Sequence, residues 1–216
     1  MRIVITGTSS GIGKEVAEEF IFRGHYVMGI DTQIPSIKSN LYSHIIADVS
    51  KKETLPEIEE VDILVNNAGV QNTGRDIEVN LIGLINTTEK YGMQSKIKSI
   101  VNVASTSGHN GAEFGSYAAS KGGVLAYTKH TAMEISKFGA TCNSISPGGV
   151  DNTLNHHITS QPKLYKQVKN ETLLHKWASN KEISDWIYFM AMVNKSMTGQ
   201  DIIVDNGELS NFNFIW

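Results

Sequence analysis

The feature that most constrains the fold of this chain is the regular alternation of short apolar, β-branched runs with longer amphipathic stretches. The runs are typical of strands buried on both faces, and they predict strands at residues 2–6, 25–30, 43–47, 61–65, 99–104, 141–146 and 201–204. The stretches between them predict helices at residues 12–23, 76–91, 117–138, 161–170 and 181–192. Apolar strands separated by helices form a parallel sheet that is covered on both faces, and right-handed crossovers favour a doubly wound order. The sequence therefore predicts an α/β fold with a doubly wound, parallel, seven-stranded sheet.

Size and composition narrow the class of protein. At 216 residues, with 40% hydrophobic and 19% charged residues, the chain is expected to form one folded domain over residues 1–216. A formal net charge of −3 provides no basic surface for nucleic acid. The sequence has no apolar stretch of the ~20 residues that span a membrane and no basic amphipathic helix that would lie on one. The single cysteine, Cys142, fits a reducing compartment, so we expect a cytoplasmic protein with no nucleic-acid or membrane partner.

The junction between the first predicted strand and the first predicted helix reads TGTSSGIG at residues 6–13. Gly7 permits a tight turn, Gly11 removes a side chain where the backbone approaches a ligand, and Gly13 lets the helix pack close to the sheet. The amides and the dipole of the helix N-terminus favour an anion there. Turn glycines alone are common, but the strand before them and the amphipathic helix after them indicate a site for the pyrophosphate of a dinucleotide.

Asp31 follows the second predicted strand, at the distance of about twenty residues that dinucleotide-binding folds place between their glycines and an acidic residue. A carboxylate at this point accepts hydrogen bonds from the adenosine ribose and repels a 2′-phosphate. Neither Ser10 nor Thr32 provides a cation for that phosphate. The sequence therefore predicts NAD in preference to NADP, the alternative being a solvated aspartate at a strand end.

A second group of residues points to proton transfer. Tyr117 and Lys121 are four residues apart on a predicted helix, so their side chains lie on the same face. A phenol has a pKa near ~10, and a neighbouring ammonium favours the phenolate and lowers that pKa. The pair can thus donate or accept a proton near neutral pH. Ser105 follows the fifth predicted strand at the carboxyl edge of the sheet, where such folds bind ligands, and Asn80 lies in the helix after residues 66–69.

These motifs, in this order, resemble the short-chain dehydrogenase/reductase family over residues 2–207. The family's glycine pattern stands at residues 6–13, its Asp-Val at 48–49, its Asn-Asn-Ala-Gly at 66–69, its Pro-Gly at 147–148 and a Val-Asp-Asn-Gly close to its final motif at 204–207. The family's catalytic tetrad falls on Asn80, Ser105, Tyr117 and Lys121. The resemblance implies a Rossmann-type fold and an NAD(P)-dependent oxidoreductase that transfers a hydride between a nicotinamide cofactor and a carbonyl or alcohol.

The resemblance also implies a role for each residue of the tetrad. Tyr117 is the general acid in reduction and the general base in oxidation, while Lys121 lowers its pKa and binds the nicotinamide ribose. Ser105 hydrogen-bonds the substrate oxygen, and Asn80 holds a water that links Lys121 to solvent. The residues expected to contact the cofactor are Gly7, Ser9, Ser10, Gly11, Ile12, Gly13, Asp31, Asp48, Val49, Asn67, Ala68, Gly69, Tyr117, Lys121, Pro147, Gly148 and Val150, the last through its backbone.

The chain departs from the family pattern in its loops. Asn80 comes eleven residues after Gly69, so most of the helix that usually precedes the catalytic asparagine is missing. Position 152 is Asn152 where the family has a threonine, with Thr153 next, so the contact of that threonine with the carboxamide is not carried over.

The resemblance also implies that residues 151–180 form a lid over the substrate. The lid contains the adjacent His156 and His157, but neighbouring side chains point apart on a helix, and the sequence supplies no carboxylate or cysteine to complete a ligand set. We therefore predict no metal.

The sequence leaves several alternatives open. The substrate is a 3-oxoacyl thioester, a sugar or polyol, or a small alcohol, and a non-catalytic redox sensor or regulatory scaffold is the alternative to an enzyme. Small residues on the predicted helix 117–138 allow close packing against the sheet or a second subunit. The resemblance to the family implies a homodimer or homotetramer. The apolar C-terminus, residues 212–216, is expected to pack on the lid or on a neighbouring subunit.

Overall fold

The computed structural model describes residues 1–112 and 114–212. Seven of its strands form one sheet and two short strands form another. In chain order, the strands are β1 (Arg2–Thr6), β2 (Tyr26–Asp31), β3 (Tyr42–Ile46), β4 (Ile63–Asn66), β5 (Ser99–Val103), β6 (Thr141–Pro147), β7 (Val150–Asp151), β8 (Ala178–Ser179) and β9 (Asp201–Val204). The four residues 213–216 of the predicted C-terminal contact lie outside the described part of the chain.

Helices connect most of the strands of the larger sheet. The α-helices are α1 (Gly11–Phe22), α2 (Gly83–Thr87), α3 (Ser107–Asn110), α4 (Gly115–Ile135), α5 (His156–Thr159), α6 (Pro162–Lys169) and α7 (Asn180–Tyr188). Single 3₁₀ turns occur at Lys52–Thr54, Ser136–Phe138 and Thr153–Asn155. Three π-helical turns extend the helices, two flanking α2 at Ile77–Ile82 and Thr88–Gly92 and one following α7 at Phe189–Val193.

The larger sheet is parallel throughout and has the order β3-β2-β1-β4-β5-β6-β9. The predicted seven-stranded, doubly wound sheet is therefore confirmed. The chain winds outward from β1 to β3 and then returns to place β4 on the other side of β1. The connections therefore diverge between β1 and β4. In such sheets the divergence leaves a crevice beyond the carboxyl ends of the strands, and ligands bind there.

The predicted helices and strands agree with the structure to within a few residues at each end. The helix predicted at 76–91 is helical over residues 77–92, but only α2 at its centre is α-helical. The helices α3 and α5 and the strands β7 and β8 were not predicted. Each of these has only two or four residues, which is too short for a hydrophobic period to be recognised.

Two apolar cores cover the faces of the sheet. One core packs α1 and α7 on one face and is built around Val16, Phe20, Ile183 and Ile187. The other lies on the opposite face, beneath the helical stretch 77–92 and the C-terminal half of α4, and includes the fully buried Tyr91. Because both faces are covered, the strands are mainly apolar, and their buried polar residues, such as Asn66, Asn102 and Asn143, form hydrogen bonds within the protein.

Candidate active site

The glycine-rich turn after β1 is held by close backbone contacts. Gly7 has a φ of +75°, and its amide donates to the carbonyl of Ile30 at 2.8 Å. A Cβ atom on Gly13 would lie 2.1 Å from the carbonyl oxygen of Gly7, so only glycine allows α1 to start this close to the strand. In the described chain, the Ser10 side chain makes no capping hydrogen bond to α1, and the first turn of α1 contains no acidic residue. The helix N-terminus is therefore shaped to receive an anion.

A second turn, at residues 66–69, supports the glycine turn. The side-chain amide of Asn67 donates to the carbonyl oxygens of Thr6 and Gly7 at 3.0 and 3.2 Å. The backbone amides of Asn67 and Ala68 both donate to the hydroxyl of Thr6. These bonds cross from β4 to β1, so they fix the two sides of the crevice relative to each other.

Asp31 lies where a ribose is expected. One of its carboxylate oxygens accepts the amide of Ser9 at 2.9 Å, and the other accepts the amide of Gln33 at 3.0 Å. Since a carboxylate has about four lone-pair positions, each oxygen can accept a further hydrogen bond. Asp31, Thr32 and Gln33 all line the crevice, and none of the three is a cation.

Asp48 and Val49, the pair expected to lie near the adenine, line the crevice together with Arg75, which the sequence reasoning missed. Although burial opposes it, hydrogen bonds from Ser50 and the guanidinium of Arg75 hold the pKa of Asp48 below its usual value. Arg75 lies in the short loop before Asn80, and its Nη2 is 3.1 Å from Asp48 Oδ2. Sequence alone gave no signal for this pair, because it joins positions 27 residues apart through an irregular loop.

Tyr117 and Lys121 lie on α4, one helical turn apart. The Lys121 side chain is 4% exposed, and its Nζ donates to the carbonyl of Val103, the last residue of β5, at 2.8 Å. The same Nζ lies 5.7 Å from the centroid of the Tyr117 ring. Burial lowers the pKa of Lys121 to about 8, so the ammonium form still predominates at neutral pH.

Ser105 is presented by the turn between β5 and α3. Its hydroxyl accepts the amide of Ser107 at 3.2 Å, and the next residue, Thr106, donates its amide to Pro147 on β6 at 3.0 Å. A Cβ atom on Gly108 would lie 2.8 Å from the backbone carbon of Lys121, so α3 packs directly on α4. The serine turn and the lysine helix are thus in contact.

Asn80 has a different environment from the other three tetrad residues. Its side chain is buried, exchanges hydrogen bonds with the backbone of Val70 at 2.8 and 2.9 Å, and donates to Ser120 Oγ at 3.0 Å. It therefore ties the short loop to α4. A Cβ atom on Gly69 would lie 3.2 Å from Asn80 Oδ1 and 3.7 Å from Lys121 Nζ, so the two side chains approach the same small space.

One cleft of about 790 Å³ runs along the carboxyl edge of the sheet and joins these features. Of the predicted site residues, the cleft is lined by Gly7, Ser10, Gly11, Ile12, Asp31, Asp48, Val49, Asn67, Ala68, Gly69, Ser105, Tyr117, Lys121, Pro147, Gly148 and Val150. Ser9, Gly13 and Asn80 lie behind this lining and act on it through the contacts given above. The glycine cradle, the acidic ribose end and the size of the cleft fit a dinucleotide.

The far end of the cleft lies under residues 151–180. Trp177 packs so closely on the turn after β6 that a Cβ atom on Gly149 would lie 2.2 Å from the indole ring. Asn152 uses its side-chain oxygen to cap the turn of Thr153 by accepting the amides of Leu154 and Asn155. Trp177, Asn152 and Thr153 all line the cleft.

Within the described residues, no helix is both long enough and apolar enough to cross a membrane.

A parallel sheet that opens at its switch point on a glycine-lined cleft, with a phenol and a buried ammonium on the cleft wall, defines a dinucleotide-dependent oxidoreductase. A family model described as enoyl-(acyl carrier protein) reductase matches residues 7–208. The chain belongs to the short-chain dehydrogenase/reductase family.

Individual relatives match over nearly their whole length. The chain is 26% identical to the 3-oxoacyl-(acyl-carrier-protein) reductase FabG of Buchnera aphidicola, covering 94% of this chain and 95% of the relative. It is 25% identical to glucose 1-dehydrogenase of Gluconobacter oxydans, covering 95% and 91%. Among solved structures, 4-hydroxyisoleucine dehydrogenase complexed with NADH is 28% identical, with a TM-score of 0.88, covering 98% of this chain and 99% of that one.

The protein is accordingly an NAD(P)-dependent oxidoreductase that transfers a hydride between a nicotinamide cofactor and a carbonyl or hydroxyl group. This confirms the enzyme predicted from the sequence, whereas the alternative of a non-catalytic sensor or scaffold finds no support among these relatives.

Proposed function

We propose that Tyr117 exchanges a proton with the substrate oxygen while Ser105 hydrogen-bonds the same oxygen. When bound, the nicotinamide ring supplies or accepts the hydride. The observation that carries the proposal is the buried Lys121 ammonium, held by Val103 and 5.7 Å from the Tyr117 ring, on the wall of the cleft that Ser105 also lines. A positive charge that water does not screen stabilises the phenolate that Tyr117 becomes when it gives up its proton.

Lys121 is suited to this role because it is fixed. Its side chain is fully buried and donates to a strand carbonyl, so the charge has a defined position relative to the phenol. An ammonium has three protons, so two remain for other partners such as a ribose hydroxyl or a water. We assign the nicotinamide ribose to one of them.

Asn80 is proposed as a positioning residue. Its side-chain amide is occupied by Val70 and Ser120, so it orders the loop and the helix turn next to Lys121. The water that links Lys121 to solvent would then be held in the space that Gly69 leaves between Asn80 and Lys121.

We propose NAD as the preferred cofactor. Both oxygens of Asp31 face backbone amides of the two loops that border the ribose end, and each retains capacity for a ribose hydroxyl. Among the described residues that line the cleft, Arg75 and Lys121 are the cations with fixed charge, and they lie beside Asp48 and Tyr117 rather than beside Asp31. A 2′-phosphate would therefore meet a carboxylate with no compensating charge.

The remaining assignments concern the whole chain. We propose that residues 1–216 form a single catalytic domain with a substrate lid at about residues 151–180, acting as a homodimer or homotetramer. We also propose a cytoplasmic location, since the Cys142 thiol is fully buried and burial raises its pKa, which suits a chain that forms no disulfide of its own.

Titration with NADH and NADPH, followed by turnover on a panel of carbonyls and alcohols, tests the proposal. We expect NADH to bind more tightly than NADPH and at least one class of substrate to be turned over. Tight NADH binding without turnover on any class would instead favour a redox sensor, and equal or tighter NADPH binding would contradict the cofactor assignment.

A further inference from the structure

The charges along the cleft are unevenly distributed. Of its two fixed cations, Arg75 pairs with Asp48, and Lys121 donates to the Val103 carbonyl with its Nζ 5.7 Å from the centroid of the Tyr117 ring. Beyond Tyr117, the described residues that line the lid end include two carboxylates, Glu171 and Glu208, and the imidazole of His157, but no lysine or arginine. The lid end of the cleft therefore has an excess of carboxylates.

Glu208 lines the cleft at the turn that follows β6. Its Oε2 accepts the amide of Gly149 at 3.4 Å, and a Cβ atom on Gly148 would lie 2.6 Å from the same oxygen. The carboxylate is thus held against the turn after β6, whose Pro147 also binds the backbone of the Ser105 turn. A carboxylate is only an acceptor of hydrogen bonds, so it attracts donors and repels anions.

The lid reinforces this acidity on its inner side. Val168 and Glu171 line the cleft. Lys163 and Lys166 are exposed on α6. Since each residue of an α-helix turns by ~100°, these two lysines lie some 140–160° around the helix axis from Val168, on its opposite side. Lys169 lies over the ring of Tyr165, with its Nζ 4.3 Å from the ring centroid. The lysines of this segment therefore do not line the substrate end.

Trp177 supplies the apolar surface of the same end. Its indole packs on Gly149, and Tyr165 holds it from the side with an edge-on ring contact of 5.4 Å between centroids. Tyr165 in turn donates to Asp151 at 3.2 Å. An indole that lines the same end of the cleft as two carboxylates suits the carbon skeleton of a polyol or sugar and equally suits an ammonium.

We propose that Glu208, assisted by Glu171, selects alcohols that carry a neutral or cationic hydrogen-bond donor next to the reacting carbon, and disfavours anions. Polyols, sugars and amino alcohols share this chemistry. Acyl thioesters of phosphopantetheine carry phosphate and do not fit it. This inference rests on the proposed function of the same cleft and chooses among its substrates.

Three alcohols of nearly equal size test the selection: lactate is anionic, propane-1,2-diol is neutral and 1-amino-2-propanol is cationic. Each has the same secondary alcohol, whose oxidation to a ketone with reduction of NAD⁺ is followed by the absorbance of NADH. At pH 8, we expect kcat/KM for the neutral or cationic member to exceed that for lactate at least about tenfold. Comparing the diol with the amino alcohol then separates a polyol from an amine substrate.

The Glu208→Gln variant identifies the residue responsible. We expect it to reduce the preference over lactate about fivefold or more, because the amide keeps the shape of the side chain but removes its charge. Glu59→Gln, an exposed change far from the cleft, is the matched control and should leave the ratio unchanged. Calorimetric binding of the three alcohols to the enzyme with NADH should give the same order without turnover.

Two results would overturn the inference: lactate used as well as the diol, or a preference that Glu208→Gln does not change. Acetoacetyl-CoA is assayed in parallel. Reduction of this thioester without use of the neutral or cationic alcohols would refute the inference and leave the proposed function intact. Tight NADH binding with no turnover of these compounds or of any class in the wider panel would refute both.

Discussion

Lys121 shows how a single residue can serve the site at a cost to the fold. The side chain is 4% exposed, and burial lowers its pKa from 10.5 to about 8. At 1.36 kcal/mol per pH unit, the difference corresponds to about 3 kcal/mol of unfavourable free energy in the folded state whenever the lysine is protonated. Such a cost is typical of a group retained for its chemistry rather than for stability.

The pH dependence of stability should reveal this cost. A lysine with a lowered folded-state pKa destabilises fully below about 8, and the penalty disappears as the pH rises toward the unfolded value of 10.5. We expect the unfolding free energy of the wild type, relative to Lys121→Met, to rise by about 2 kcal/mol between pH 8 and 10. Denaturant unfolding at both pH values measures this difference, and a flat or falling difference would show that the folded protein does not lower the pKa of Lys121.

Asp31 should determine the choice of cofactor. In Asp31→Ser the repulsion of a 2′-phosphate is removed, so we expect the ratio of NADPH to NADH dissociation constants to fall at least about tenfold. Fluorescence titration of both cofactors measures the ratio, with Asp185→Ser on α7 as a control for a lost surface aspartate. An unchanged ratio would mean that Asp31 does not select the cofactor and only accepts hydrogen bonds from the backbone amides of Ser9 and Gln33.

At the scale of residues, the sequence predicted those parts of the site that belong to a local pattern. Tyr117 and Lys121 share a helix face, and Asp31 ends a strand, so spacing alone places them. Arg75 and Glu208 were missed because each reaches the cleft through contacts between distant parts of the chain, to Asp48 and to Gly149. A loop that has lost residues gives no periodic signal from which such contacts can be read.

At the scale of elements, the start of α1 depends on one close approach. A Cβ atom on Gly13 would lie 2.1 Å from the Gly7 carbonyl, whereas one on Gly115, the first residue of α4, would meet nothing within 4 Å. We expect Gly13→Ala to lower stability by about 2 kcal/mol or more through overpacking and to abolish NADH binding, and Gly115→Ala to be neutral or stabilising. Thermal melts and NADH titration of the two variants test this, and equal effects would refute the packing argument.

The elements that the sequence predicted well are those whose own residues specify them. The strands β1, β4 and β5 are short, mainly apolar runs, and α1 and α4 are long enough for a helical pattern to be recognised. By contrast, β7 and β8 have two residues each and are strands only because they pair with each other. Val150 pairs with Ala178 and Asp151 with Ser179, across 27 intervening residues. The π-helical turns around α2 likewise carry buried polar contacts, from Asn80 and Thr88, that no local pattern indicates.

At the scale of the whole molecule, α4 carries the best support for assembly. Of its small residues, Ala118 is buried, and Gly123 packs against Leu81 of the same chain. Ala119 and Ala126 are exposed and fall, with Met133, at intervals of seven residues on one outward face of the helix. A stripe of small and apolar residues in solvent suits close packing against a second copy.

We therefore expect Ala126→Glu to shift the protein toward monomer, because it buries a charge in the proposed contact while glutamate remains a good helix former. Light scattering after size-exclusion chromatography measures the mass, and Gln167→Glu on α6 is the control for an added surface charge. A monomeric wild type, or an assembly that Ala126→Glu leaves intact, would exclude this face.

The central claim is that the Tyr117 phenol transfers the proton beside a bound dinucleotide, and the Tyr117→Phe variant tests it most directly. With the best substrate of the panel, we predict that kcat falls by about 10²- to 10⁴-fold while the dissociation constant of NADH stays within about twofold. Tyr26→Phe, at the distant start of β2, should keep full activity. A Tyr117→Phe enzyme that retained more than about a tenth of wild-type kcat, with NADH still bound, would contradict the account.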